Sequence, residues 1–346
     1  VFTAVLIIAC PCAIALAAPF TLGNMLRIFG RKKFYLKNTQ SVEQLARVDT
    51  AIFDKTGTIT ASKQSTATYE GMALSAEEES LFKNTLRASN HPLSRTLYEM
   101  LAEHDIVTLD GYEEHLGEGV KGTKDDDSIK IGSADFVNKN VVNDAMHTSV
   151  HISSNDEYKG KYVFHNEYRE GVPELFRAMS KTMDLAILTG DNEGEKPRLE
   201  ILLPKLTPLF FRQKPEDKLQ FVKLLQGQGK KVMMVGDGLN DAGALAQSDV
   251  GIAISENINV FSPACDGILD ASKFRQLYQY ILASKKAMTI IKMSFALSLL
   301  YNLVGLYFAV TGQLQPVIAA ILMPLSSISV VGFTTVATNL IGRKVA

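Results

Sequence analysis

The sequence is poor in cysteine: its 346 residues hold three, Cys10, Cys12 and Cys265. An odd number, with two of them flanking one proline, excludes a disulfide framework. Cys265, within "SPACDG", reads as an incidental small residue. Charge of one sign is missing as well, since 36 Lys+Arg stand against 37 Asp+Glu. That near-neutrality gives no support to a nucleic-acid-binding surface. There are no internal repeats. No basic segment precedes the first apolar run, and the positive charges follow it instead. A cleaved secretory signal is therefore disfavoured, although Ala15-Leu16-Ala17 mimics a cleavage site. The chain starts at Val1 inside that run, so it is expected to be a fragment lacking an N-terminal part.

Apolar residues crowd into three segments, 1–20, about 294–311 and about 316–338. Each is near the roughly 20 residues that cross a bilayer as a helix. Arg27, Arg31, Lys32, Lys33 and Lys37 follow the first, Lys285, Lys286 and Lys292 precede the second, and Arg343 and Lys344 follow the third. Cytoplasmic loops carry such an excess of basic residues. The expectation is an integral protein of the cell membrane, with the long insertion and the C-terminus cytoplasmic and "TGQLQP" as a short outer hairpin.

Within the insertion, "VDTAIFDKTGTIT" begins as a buried strand ending at Asp54. Residues 61–170 are polar and carry the acidic loop "KDDDS". From Val172 helices and strands alternate: "PELFRAMS", "DLAILTGD", "PEDKLQFVKLLQGQ", "KKVMMVGDGLND" and "DVGIAI". Alternation implies an α/β fold with a parallel sheet covered on both faces. Chemistry in such sheets lies beyond the carboxyl ends of the strands. Asp54, Thr189, Asp191, Asp237 and Asp241 all fall there. The expected domains are a first membrane helix over 1–28, a sheet domain over 29–60 and 171–280, an inserted domain over 61–170, and two membrane helices with a tail over 281–346.

An aspartate at a strand end followed by Lys55 and Thr56 is a candidate nucleophile for phosphoryl transfer, attacking the terminal phosphate of ATP. The transition state spreads charge over the transferred oxygens and needs cations and placed donors. Asp237 and Asp241 suit Mg2+ beside Asp54. The Thr189 hydroxyl and Gly190 amide suit the phosphate, and Lys218 would neutralise Asp54 and the incoming group.

Four segments in this order, "DKTGTIT", "TGD", "KPEDK" and "GDGLND", resemble the phosphorylation-domain motifs of P-type ATPases in the haloacid dehalogenase superfamily. The resemblance implies Asp54 as the phosphorylated residue, Thr56 and Lys218 as phosphate contacts, and Asp237 with Asp54 and Thr56 around Mg2+. Asn240 and Asp241 complete that side. It also implies that the inserted α+β block binds ATP. "SNHPLS" is similar to the His-Pro pair of the heavy-metal branch, carried here by His91 and Pro92. "GEGVKG" resembles its glycine-rich nucleotide loop, with Gly117 and Gly119 allowing close backbone approach. The same letters match a dinucleotide fingerprint, but a turn and a strand follow rather than the helix such a site needs. Asn90 stands where many heavy-metal pumps carry an acidic residue.

Beside such a motor, Cys10-Pro11-Cys12 reads as an ion pathway. Proline in a span is tolerated where the freed backbone faces other helices or a cavity. Two thiolates suit soft ions, Cu(I) above all, with Ag(I) and Zn(II) as alternatives. Tyr301-Asn302 and "MPLSS", with Met323 and Ser327, resemble signatures of the copper-pumping subclass. A copper chaperone is a candidate donor of the ion. The Thr-Gly-Glu loop of the family's actuator domain does not occur. The competing reading is a membrane-anchored haloacid-dehalogenase-type phosphatase. Such enzymes usually carry a second aspartate two residues after the nucleophile, where this chain has Thr56. A non-catalytic interaction protein leaves the acidic and lysine residues without a purpose.

Overall fold

The computed structural model describes residues 2–9, 12–101, 105–115, 118–138, 148–238, 240–256 and 264–345; for residues 12–13, 62–66, 92 and 165–166 it describes the backbone only. The chain divides into two compact units, one of Val1–Ile59, Arg169–Asp191 and Glu200–Ala346, the other of Thr60–Tyr168 and Asn192–Leu199.

The first unit is built on a seven-stranded sheet. Its strands lie in the order Phe34–Leu36, Gly267–Asp270, Val250–Ser255, Val232–Gly236, Thr50–Asp54, Asp184–Leu188, Leu209–Phe210. The central strands "TAIFD" and "VMMVG" are buried at every position. Such unbroken burial is what helices on both faces of a parallel sheet impose. The flanking helices begin where the sequence permits. Val172–Met179 and Pro215–Gly227 both carry proline in the first turn, where its missing N–H costs nothing. Asp217 accepts from the Lys214 N–H at 2.9 Å and closes the second helix's first turn.

One strand departs from the expected all-parallel sheet. Phe34–Leu36 pairs antiparallel with Gly267–Asp270 at the edge. The helix Cys12–Arg31 precedes it in the chain, which turns at Lys33, whose φ of 64° is left-handed. Tyr280 packs edge-on against Phe29 and tilted against Phe34, with ring centroids 5.2 and 4.9 Å apart, and donates its hydroxyl to the Lys32 carbonyl at 2.6 Å. The sheet is thereby packed directly onto the bases of two long helices.

Two helices are long and apolar enough to cross a membrane among the described residues, Ala271–Val310 with mean hydropathy 1.7 and Pro316–Lys344 with 2.0. Leu299, Leu303, Ile321 and Ile328 on them are exposed, as lipid-facing side chains would be. The segment expected as a first span holds two helices, Phe2–Ile8 and Cys12–Arg31, while Cys10 and Pro11 lie outside the described residues. Small residues let these helices approach. A Cβ on Gly305 would come within 2.9 Å of Ile8, and one on Gly342 within 2.9 Å of Ile28.

The second unit is a six-stranded antiparallel sheet ordered Thr60–Gly71, Glu157–Tyr168, Ser149–Ser154, Asp127–Gly132, Gly119–Lys124, Gly111–His115. Helices Ala76–Ala88 and Pro92–Met100 supply Phe82, Leu86 and Leu97 to a core shared with Val120, Ile129, Ile131 and Ile152. The first of these helices starts with a reciprocal cap between Ser75 and Glu78.

Candidate active site

Parallel pairing puts three strand ends side by side. Val232–Gly236 and Asp184–Leu188 flank Thr50–Asp54, so Asp54, Asp237 and Thr189 emerge together at the carboxyl edge. The helix Pro215–Gly227 then delivers Lys218, whose Nζ donates to Asp54 Oδ1 at 2.6 Å and to Asp241 Oδ1 at 2.7 Å. All three side chains are at most 7% exposed. Burial first and the Asp241 charge second, against the opposing pull of Lys218, together push the Asp54 carboxyl up to about 7. Burial raises Asp241 as well, again against Lys218. For Lys218 burial acts downward, yet the two carboxylates outweigh it and hold the amine above its ordinary value.

Negative charge is in excess here. One lysine serves two buried carboxylates, and Asp241 Oδ2 is buried with no hydrogen-bond partner among the described residues. That atom is pressed against Gly236, where an added Cβ would come within 2.6 Å of it. Asp237 accepts from Asn240, at 3.1 Å from its backbone N–H and at 2.6 Å from its side-chain amide. The donor set fits Mg2+, which keeps several waters and takes one or two carboxylates plus phosphate oxygens. Among the described residues no group of three His, Cys, Asp or Glu could hold a metal ion by itself, so phosphate oxygens and water would have to complete the set.

A second cluster lies on the other flank. Lys55 Nζ meets Asp191 Oδ2 at 2.6 Å, and Thr56 donates its hydroxyl to the same oxygen at 3.1 Å. These donors hold Asp191 below the usual carboxylate range although burial works the other way. Thr189 is buried and its hydroxyl accepts from the Asp191 N–H at 3.2 Å; Gly190 follows it on the exposed turn. Reasoning from sequence missed Arg169 and Glu256, which sit beside the turn after Asp54 with Nη1 and Oε1 2.7 Å apart. No local pattern marks either residue.

In the second unit, His91 and Gly119 line one cavity of about 290 Å³ together with Glu114, His115, Glu118 and Ser133. His91 also caps the helix Pro92–Met100, its Nδ1 accepting from the Leu93 N–H at 3.3 Å, and Pro92 occupies that helix's first turn. Gly119 is required by close strands, since a Cβ there would meet the Ile131 carbonyl at 2.3 Å. Asn90 is taken up by Arg95 at 2.8 Å. Gly117 lies outside the described residues.

Of the proposed ion ligands, Cys10 and the Cys12 side chain also lie outside them. Tyr301 donates its hydroxyl to the Leu322 carbonyl at 2.9 Å, which brings it next to Met323. Asn302, Met323 and Ser327 are partly buried, and the Ser327 hydroxyl turns back to the Met323 carbonyl at 3.5 Å.

Comparison with known proteins agrees with this geometry. The description "haloacid dehalogenase-like hydrolase" matches residues 48–249. A copper-exporting P-type ATPase of Staphylococcus saprophyticus is 30% identical over 343 residues, covering 95% of this chain and 43% of that protein. A copper-transporting ATPase of Helicobacter pylori is 29% identical over 353 residues, covering 96% and 47%. The chain thus spans less than half the length of these relatives. A crystal structure of a zinc-transporting PIB-type ATPase in an E2.Pi state superposes with a TM-score of 0.82 at 24% identity, over 96% of this chain and 56% of that one. With its two long apolar helices the chain is an integral membrane protein; it is similar over most of its length to P-type ATPases, and it belongs to the haloacid dehalogenase-like hydrolases.

Proposed function

We propose that this chain carries out the phosphorylation step of ATP-driven transport of a soft metal ion, Cu(I) above all. The observation that carries the reading is the buried triad of Asp54, Lys218 and Asp241 at the end of a central parallel strand. An Asp54 carboxylate oxygen attacks the terminal phosphorus of ATP; the bond to the bridging oxygen breaks, ADP leaves with that electron pair, and an acyl phosphate remains on Asp54. Lys218 keeps Asp54 ionised and then follows the charge onto the phosphate. Thr56 and the Thr189–Gly190 turn offer a hydroxyl and an amide to its oxygens. Asp54, Asp237 and Thr56 would hold Mg2+, with Asp241 and Asn240 behind them. When bound, that ion neutralises charge developing on the transferred group. The nucleotide's base would lodge in the cavity of His91, Gly119 and His115.

Copper is favoured by soft donors, the thiolates of Cys10 and Cys12 and the thioether of Met323, with Tyr301, Asn302 and Ser327 nearby in sequence signature. Relatives named as copper pumps support the same choice. Ag(I) and Zn(II) are the alternatives, and a chaperone would deliver the ion on the cytoplasmic side of the cell membrane. The phosphatase reading needs a general acid two residues after Asp54; Thr56 stands there instead, donating to Asp191.

The test is incubation with Mg·ATP. An acid-stable, hydroxylamine-sensitive adduct on Asp54 is expected, absent in a folded Asp54→Ala variant. In the whole pump, Cu(I) and Ag(I) should stimulate ATP hydrolysis and Cys12→Ser should abolish the stimulation. Stimulation by Zn(II) alone would overturn the choice of ion.

A further inference from the structure

One residue outside the motifs grips the turn that follows Asp54. Arg169 comes directly after the strand Glu157–Tyr168, and its side chain is 8% exposed. Its backbone N–H donates to the Ile59 carbonyl at 2.9 Å. Its Nε donates to the Thr58 carbonyl at 2.7 Å, and its Nη2 to the Gly57 carbonyl at 3.0 Å. Three consecutive carbonyls of "KTGTI" are therefore turned toward a single residue. The remaining arm, Nη1, pairs with Glu256 Oε1 at 2.7 Å, just past the strand Val250–Ser255. The guanidinium is anchored at one strand end of the sheet and holds the chain leaving another.

That turn needs holding. Gly57 sits at φ 72°, a left-handed conformation, and the buried Thr58 hydroxyl has no hydrogen-bond partner among the described residues. Neither feature keeps the turn in place by itself. We infer that Arg169 is a positioning residue for phosphoryl transfer: by binding the carbonyls of residues 57, 58 and 59 it fixes the turn that aims Asp54 and Thr56 at the incoming phosphate. This rests on Asp54 as the phosphorylated residue. The planar fork of arginine meets several acceptors at once, whereas lysine presents one nitrogen, so Lys cannot replace it. A misplacement of about 1 Å in a reacting group costs roughly 100-fold in rate.

The experiment measures acyl-phosphate formation by the full chain with Mg2+ and either radiolabelled ATP or radiolabelled acetyl phosphate, which bypasses the nucleotide cavity. Arg169→Gln and Arg169→Lys should slow labelling from both donors by about 30- to 100-fold. ATP affinity, read by equilibrium binding, should stay within about twofold, because the loss falls on the chemical step and not on ground-state binding. Glu256→Gln should give a smaller loss of about 3- to 10-fold, since the carbonyl contacts survive. Labelling at the wild-type rate in Arg169→Gln, or full activity restored by Arg169→Lys, overturns the inference. So does loss of ATP binding or of cooperative melting in all three variants, which makes the contacts merely structural. Absence of label in the wild type sinks the phosphorylation reading itself, a different outcome.

Discussion

In the seven-stranded sheet, Asp54, Lys218 and Asp241 are buried together beyond the strand ends. In the six-stranded sheet the paired charges are at the surface, with Lys130 reaching Asp156 at 2.6 Å and Lys159 reaching Glu157 at 2.6 Å. Exposed pairs of that kind contribute about 0–1 kcal/mol. Burying a charge costs several times more unless it is matched, so the triad is held there by the surrounding fold rather than holding it. The difference shows where each unit spends its stability. The antiparallel unit is closed around an ordinary apolar core. The parallel unit keeps two buried carboxylates on one lysine at the carboxyl edge of its sheet.

Removing the countercharge should break the parallel site most severely. In Lys218→Ala both buried carboxylates lose their partner and take up protons, so Asp54 loses its nucleophilic form. Labelling from ATP and from acetyl phosphate should fall by about 10²–10³-fold. A rate within tenfold of wild type would mean that the triad is not the reacting centre.

The antiparallel unit should fail differently. Phe82 is fully buried and stacks on Tyr162 with ring centroids 5.6 Å apart. Phe82→Ala should destabilise that unit by about 3–5 kcal/mol. Calorimetry should show one transition moving to lower temperature, with ATP binding lost as it melts. Labelling of Asp54 by acetyl phosphate should persist, and its parallel loss would show that the two units do not act as separate cooperative blocks.

The smallest effect is a pH dependence. An unfolded aspartate titrates near 3.8, whereas Asp54 is pushed up to about 7 in the folded chain. The folded state therefore binds this proton more tightly. The corresponding stability is fully present below 3.8 and is lost as pH rises through about 7. Asp54→Asn removes the slope, so melting at pH 8 should rise relative to wild type, with the difference vanishing near pH 4. A constant difference across that range would contradict the raised carboxyl.

The site was legible where chemistry depends on short runs. "DKTGTIT" and "GDGLND" each place their aspartates within a few residues of a buried apolar strand, and a strand end followed by a polar turn is a local signal. Lys218 was legible through "KPEDK", because proline marks the helix start and the lysine follows on its first turn. The edge strand Phe34–Leu36 was not, since three residues carry no usable period and their pairing is with residues far along the chain. His91 read as a nucleotide contact; what the structure shows of it is a helix cap. Arg169 and Glu256 left no trace because an ion pair between distant residues has no spacing to recognise.

The order of apolar and polar residues alone made legible an α/β block followed by two membrane-length helices, and an aspartate, Asp54, at the end of a buried strand. Hydrophobic burial acts residue by residue along the chain, so its pattern survives in one dimension. Only the folded sheet decided that Lys218 would serve two carboxylates and that one arginine would hold three carbonyls. Those bonds depend on angles and on separations of a few ångströms between strand ends, which exist only once the strands lie side by side.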